Sequence, residues 1–289
     1  MEMDPATWKD PLLILDRTRT PTESLRDLLA GGGAFLLGGG PSVNDLPLEL
    51  LRRRGVFTLA INNAAGHPRI RPQAFICSDP PKKFSHSIWL DPAVMKFVPT
   101  PKMSGGRARL RAKRDGQFYD LARPVTQCPN VWGFNRLSWL TPDDSFFTEP
   151  GALWGNHNAG VQRTGQPKSV CTMLLGLRVL YYLGARRVYL LGVDFRMSPD
   201  YGYSFNHARD EGASAGNNNI YAVVNRWLCE MQEKGVFDRF GLTVLNCYQN
   251  SGLRAFPHCP FEDAVKDAVG IIEEIPDLSH WYDGEEKKK

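Results

Sequence analysis

The sequence predicts an α/β fold: a mostly parallel sheet with helices on both faces and an inserted covering segment. Three observations carry that expectation. Short apolar runs at Ala34 to Leu37, Val56 to Ile61 and Arg187 to Leu191 have the length of buried strands. Each runs directly into a turn of small or polar residues: Gly38-Gly39-Gly40-Pro41-Ser42, Asn62-Asn63 and Gly192-Val193-Asp194-Phe195. Longer segments with helical periodicity separate the runs, as a parallel sheet with crossover connections requires.

Met1 to Pro21 is punctuated by prolines and reads as an irregular lead-in, followed by a short helix from Thr22 to Ala30 capped by Thr22. Ala34 to Leu37, a helix from Leu46 to Arg54 and Val56 to Ile61 form a βαβ unit with its loops at the strand ends. Gln73 to Ser78 supplies a third strand, ending at Asp79, and Val94 to Val98 a fourth. Between Pro99 and Pro150 the periodicity weakens among prolines, basic residues and the aromatics Trp132, Phe134, Trp139, Phe146 and Phe147, which marks the insertion, 99–150. A helix from Ser169 to Leu183, a turn at Gly184-Ala185 and the strand from Arg187 restore the alternation. A helix from Asn219 to Lys234, with Asn217 to Asn219 as its cap, and a strand from Leu242 to Asn246 complete it. The expected organisation is thus a lead-in over 1–30, a core domain over 31–250 and a covering C-terminal segment over 251–289 with a charged tail.

The 289 residues bury a large core without staples. The six cysteines show neither a C-x-x-C pair nor zinc spacing, which suits reduced thiols in a cytoplasmic protein. The amino end has acids and prolines where a secretory signal needs a basic start, and the longest apolar stretch, Met173 to Leu183, is interrupted by Arg178, so no membrane segment is expected. A net charge of +4 hides a basic window at Lys102, Arg107, Arg109, Arg111, Lys113 and Arg114. Its plainer reading is a solvated loop, and its functional reading is contact with a polyanion, either a diphosphate or a nucleic-acid backbone.

The strand-end turns carry the candidate chemistry. Gly39, Gly40 and Ser42 offer amide and hydroxyl donors to a phosphate, although a plain strand-turn-helix explains the same residues. No Lys follows as in a G-K-[ST] loop, and no G-x-G-x-x-G is present. Asn62 or Asn63 can bond ribose, base or phosphate, or cap the next turn. Asp79 suits ribose or a metal, or caps the Pro80-Pro81 turn; without a D-x-D pair, dependence on a divalent metal stays open. Lys168 and Ser169 at a helix start suit a second anion, or an ordinary cap. Asp194, after the clearest strand, emerges at the same rim as the glycine loop, where as a catalytic-site acid it is expected to orient the donor, and Asn246 and Ser251 form a further polar rim.

The segments "LLGGGPSVNDLP", "TLAINNA", "AFICSDP", "PKSVCTMLLGLRVLYYLGARRVYLLGVDFRM" and "YGYSFNH", in this order, resemble the bacterial oligosaccharide sialyltransferases and the related MptE-like family, which includes archaeal hydroxymethylpterin diphosphokinases. The resemblance spans about half the chain and implies a Rossmann-like, GT-A-related transferase that holds a nucleotide-sugar donor by its first glycine loop. It further implies that Tyr201 and Tyr203 act on the leaving phosphate and that His207 is the general base, a role imidazole suits with its ordinary pKa of about 6.5. Arg196 stands where the family often shows tyrosine, and a surface loop with packed aromatics explains Tyr201, Tyr203 and His207 equally well. The expected activity is transfer of a sugar to a hydroxyl acceptor, and the basic window brings a hydroxymethylated pyrimidine in viral DNA into consideration. A magnesium-dependent diphosphokinase and a non-catalytic nucleotide- or nucleic-acid-binding module are the two alternatives.

Overall fold

The computed structural model describes residues 14–16, 22–78, 84, 86–99, 111–114, 117–120, 124–134, 136–137, 142–148, 153–154, 171–204 and 211–269. The strands are β1 (Ile14–Leu15), β2 (Gly33–Leu37), β3 (Thr58–Ile61), β4 (Ala74–Ile76), β5 (Met95–Pro99), β6 (Arg111–Arg114), β7 (Gln117–Asp120), β8 (Val131–Phe134), β9 (Arg136–Leu137), β10 (Leu153–Trp154), β11 (Arg187–Leu191) and β12 (Thr243–Asn246). The helices are α1 (His86–Leu90), α2 (Ser145–Thr148), α3 (Thr172–Tyr182), α4 (Glu211–Glu233), α5 (Val236–Arg239) and α6 (Phe261–Val269).

Eight strands form one sheet in the order β1-β8-β5-β4-β3-β2-β11-β12, parallel throughout except for β1, which pairs antiparallel with β8 at the edge. Strands β2, β3 and β4 are buried along their whole length, because a parallel sheet is covered on both faces. Alternation along β2 divides the core. Ala34 and Leu36 pack with α3, α4 and α5, whereas Phe35 and Leu37 pack with α1, α6 and the 3₁₀ turns that follow β2 and β3. The expected α/β architecture, with helices on both faces, is the one observed.

Several local expectations are corrected. Residues 22–30 form successive turns instead of a helix, with Asp27 and Ala30 at positive φ. Arg26, Leu28 and Ala30 donate to carbonyls three residues back, while the alternate amides bond outward, Asp27 to Tyr182 O at 3.2 Å and Leu29 to Leu183 O at 2.7 Å, so contact with the end of α3 interrupts the local ladder. The Thr22 hydroxyl still accepts from the Ser24 amide, at 3.2 Å. Leu46 to Arg54 holds a 3₁₀ helix at Leu48–Arg52 rather than an α-helix, and a second precedes it at Pro41–Asp45. Pro47, with no amide to donate, separates the two. Helix α4 begins at Glu211, so Asn217 to Asn219 lie within it and do not cap it. Inside the segment expected as an insertion, Val131–Phe134 pair with β5 in the main sheet.

The chain winds outward from the centre in two directions. From β2 it proceeds through β3, β4 and β5 to β8, and from β11 it proceeds to β12 on the other side. The neighbours β2 and β11 therefore flank the switch point, where loops part above and below the sheet and leave a crevice beyond the strand ends.

Candidate functional site

Three of the strand-end turns meet at that crevice, since β3, β2 and β11 are adjacent and parallel. The Gly38–Ser42 turn leaves β2 and is drawn to the turn after β11: the Gly38 amide donates to Leu191 O at 2.7 Å and the Gly40 amide to Gly192 O at 2.8 Å. Gly192 adopts φ +60°, and a Cβ there would lie 2.6 Å from Gly38 O, so a side chain is excluded twice over.

Asp194, 3% exposed, is the hub of the site. Its carboxylate accepts the Ser42 amide at 3.1 Å, the Ser42 hydroxyl at 2.5 Å and the Tyr201 hydroxyl at 2.7 Å. A buried carboxylate needs such donors to offset its lost hydration. A Cβ on Gly40 would lie 2.4 Å from the Asp194 carboxyl carbon, so glycine is what lets the loop reach the acid. Both Ser42 donors are thereby spent on Asp194. The expected phosphate donors of the loop reduce to Gly39 and Gly40, and the Gly40 amide is already bonded to Gly192.

Tyr201 carries the network to the crevice mouth. Its hydroxyl lies 3.3 Å from that of Tyr248, which accepts an Arg196 guanidinium N–H at 2.6 Å. The guanidinium carbon stands 4.4 Å from the centre of the Tyr201 ring, a cation–π stack. Burial raises the Tyr201 phenol well above its ordinary value; the Tyr248 hydroxyl and the Asp194 carboxylate add to this, and Arg196 opposes it. Tyr201 therefore stays protonated and donates to Asp194. Arg196, Met197, Ser198 and Tyr201 line an open cleft of about 280 Å³.

The cleft wall is held from behind. Asn218 of α4 accepts the Met197 amide at 2.9 Å and donates to the Met197 carbonyl at 2.7 Å, standing in for a strand neighbour. Phe195, at φ +50°, stacks on Tyr221 of the same helix at 4.8 Å. The Gly252 amide donates to Asp194 O at 2.8 Å, the Ser251 hydroxyl donates to Val193 O at 2.6 Å, and the Ser204 amide donates to Gly39 O at 2.8 Å.

On the β3 side, Asn62 takes φ +52° and its Nδ2 donates to the Thr172 hydroxyl at 3.4 Å, which in turn lies 2.8 Å from the Ser78 hydroxyl. The Asn62 Oδ1 atom is buried without a hydrogen-bond partner. Asn63 is half-buried in the same 3₁₀ turn, and Tyr203 is half-buried two residues beyond Tyr201. Asn246, 2% exposed, turns its Oδ1 to the Tyr248 amide at 3.1 Å and supports the turn rather than the rim.

Gly39, Gly40, Ser42, Asn62, Asn63, Asp194, Tyr201 and Tyr203 are thus placed on the segments that follow the ends of β2, β3 and β11. Arg111, Lys113 and Arg114 lie on the β6–β7 hairpin, a separate two-stranded unit by pairing. Asp79, Arg107, Arg109, Lys168, Ser169 and His207 lie outside the described residues. Among the described residues, no helix is long and apolar enough to cross a membrane, and no group of three His, Cys, Asp or Glu is placed to hold a metal ion.

Sequence reasoning missed Tyr248 and Asn218. Tyr248 stands between Asn246 and Ser251, the two residues of the expected polar rim, and its signal is a tyrosine two residues past a strand end. Asn218 gave no distinct signal, because a run of asparagines reads as a cap.

Fold and site together define an α/β protein with a crevice at its switch point, walled by a glycine turn on one side and a tyrosine–arginine cluster on the other. No family model, curated protein or solved structure matches the chain.

Proposed function

We propose that the chain is a nucleotide-sugar-dependent glycosyltransferase that binds the donor in the crevice between β2 and β11 and passes its sugar to a hydroxyl acceptor. The observation that carries this reading is the convergence of the glycine turn, the Asn62 turn and the Asp194–Tyr201 segment at one switch point. Such a crevice is where parallel α/β sheets take nucleotides.

In the proposed displacement the acceptor oxygen attacks the anomeric carbon as the bond to the donor phosphate breaks. Charge then collects on the leaving diphosphate, and Arg196, beside the Tyr201 and Tyr248 hydroxyls, is the nearby cation suited to receive it. Asp194 acts as a positioning residue, because its carboxylate is committed to Ser42 and Tyr201. The resemblance assigns proton removal from the acceptor to His207. The basic window, including Arg111, Lys113 and Arg114, supports a polyanionic acceptor such as hydroxymethylated DNA.

A thermal-shift panel of UDP-, GDP- and CMP-sugars and ATP, each with and without Mg²⁺, tests the reading, because a ligand selective for the folded form raises its Tm. A shift with a nucleotide sugar, lost in Arg196→Ala, supports it. A shift with ATP and Mg²⁺ alone would favour the diphosphokinase instead.

A further inference from the structure

Beyond the crevice, the segment after β12 folds back on its own strand end. The Asn246 amide donates to Pro257 O at 2.9 Å and the Cys259 amide donates to Asn246 O at 3.0 Å, an isolated parallel bridge that pairs Asn246 with His258. In parallel register the next pair is Cys247 with Cys259. Paired residues on parallel strands leave the backbone on the same face, with strands about 4.8 Å apart. Both cysteines pack into one apolar cluster, the Phe35 face of the sheet, which places the two thiols on a shared side. A disulfide accepts Cα separations of roughly 4.4 to 6.8 Å, so the register suits one without a change of fold.

We infer that Cys247 and Cys259 are a dithiol modification site that closes as a disulfide across the base of the 248–258 loop. The co-reactant is a low-molecular-weight disulfide such as oxidised glutathione. Cys259, the more exposed of the pair, attacks it as the thiolate, forms a mixed disulfide and releases one glutathione thiol. Cys247, once deprotonated, attacks the Cys259 sulfur and releases the second, so the two protein thiols lose two electrons and two protons and one oxidised glutathione becomes two reduced molecules. Burial raises both thiols above their ordinary values, which makes the exchange slow without altering its product. The closed loop carries Tyr248, Ser251 and Gly252, whose bonds reach Arg196, Val193 and Asp194, so the oxidation state of the pair bears directly on the crevice wall. The inference does not depend on which ligand the crevice takes.

The test uses the full chain, incubated with oxidised glutathione under native conditions, blocked with N-ethylmaleimide, digested without reductant and read by mass spectrometry. The expected result is a Cys247–Cys259 linked peptide as the dominant oxidised product, lost in Cys259→Ser, while the same treatment in urea scatters linkage over the six cysteines. Recovery of Cys247 as the blocked free thiol, of a glutathione adduct stalled on Cys259, or of either cysteine linked mainly to another would overturn the inference.

Discussion

Ser42 gives both its amide and its hydroxyl to Asp194, at 3.1 and 2.5 Å, and so ties the turn after β2 to the turn after β11 across the switch point. Among the described residues, no other side-chain hydrogen bond joins these two turns. The acid expected to meet a ligand instead organises the residues that would.

Asp194→Asn puts an amide donor among the Ser42 and Tyr201 donors. Removing the acceptor from a buried, charge-assisted group costs about 2–4 kcal/mol. Urea denaturation should show that loss, together with weakened donor binding. A variant as stable as the wild type would mean that the carboxylate does not hold the lips together.

Gly40→Ala places a methyl 2.4 Å from the Asp194 carboxyl carbon, where either the turn or the acid must shift. The expected cost is about 1–3 kcal/mol, with a larger effect on ligand affinity than on folding. Gly66→Ala, where an added Cβ meets nothing within 4 Å, is the matched control and should be near neutral by the same denaturation measurement.

Arg196 is exposed and Tyr248 half-buried, so Arg196→Ala and Tyr248→Phe should change stability by less than about 1 kcal/mol. Binding of a nucleotide diphosphate, measured by calorimetry, should weaken about ten-fold or more in Arg196→Ala. Tyr248→Phe should give a smaller loss, because it removes only the hydroxyl that orients the guanidinium. Unchanged affinity in Arg196→Ala would remove Arg196 from the proposed leaving-group site.

Lys96 predicts a pH dependence of stability. It is fully buried, and its ammonium donates to the carbonyls of Asp91, Val94 and Pro129. Burial lowers its pKa from 10.5 to about 8, against the pull of Asp91. The unfolded chain therefore holds more protons than the folded one between about pH 8 and 10.5, and the Lys96 contribution to stability rises with pH across that window. Below pH 8 the cost of burying the charge is fully present. Comparison with Lys96→Met isolates the effect: the difference in unfolding free energy between the two proteins should change over that window and be flat below it.

What was legible in the sequence follows from where the stabilising contacts lie. Strand β11 spans Arg187–Leu191, the range its apolar run predicts, because a strand buried on both faces has no polar alternation to blur it. The sheet-side half of the site was legible for the same reason: Gly39, Asn62 and Asp194 follow such runs directly. The turns at 22–30 were not legible, since the Asp27 and Leu29 amides bond to Tyr182 and Leu183, far away in the chain. Nor was the role of Asn218, whose partner Met197 lies across a gap in sequence that no local pattern spans. Ser42 looks like a phosphate donor in the sequence, which shows a hydroxyl after glycines and not that Asp194 already engages it.

The two bonds of Asn218 to Met197 have a mechanical consequence. Helix α4 is continuous from Glu211 to Glu233, so it acts as a rigid lever bolted to the backbone beside Arg196. Its far end is anchored through Val224, Leu228 and Met231 in the interior, which makes that packing the fulcrum. A load on the backbone beside Arg196 is therefore borne by the whole rod rather than absorbed in a slack loop.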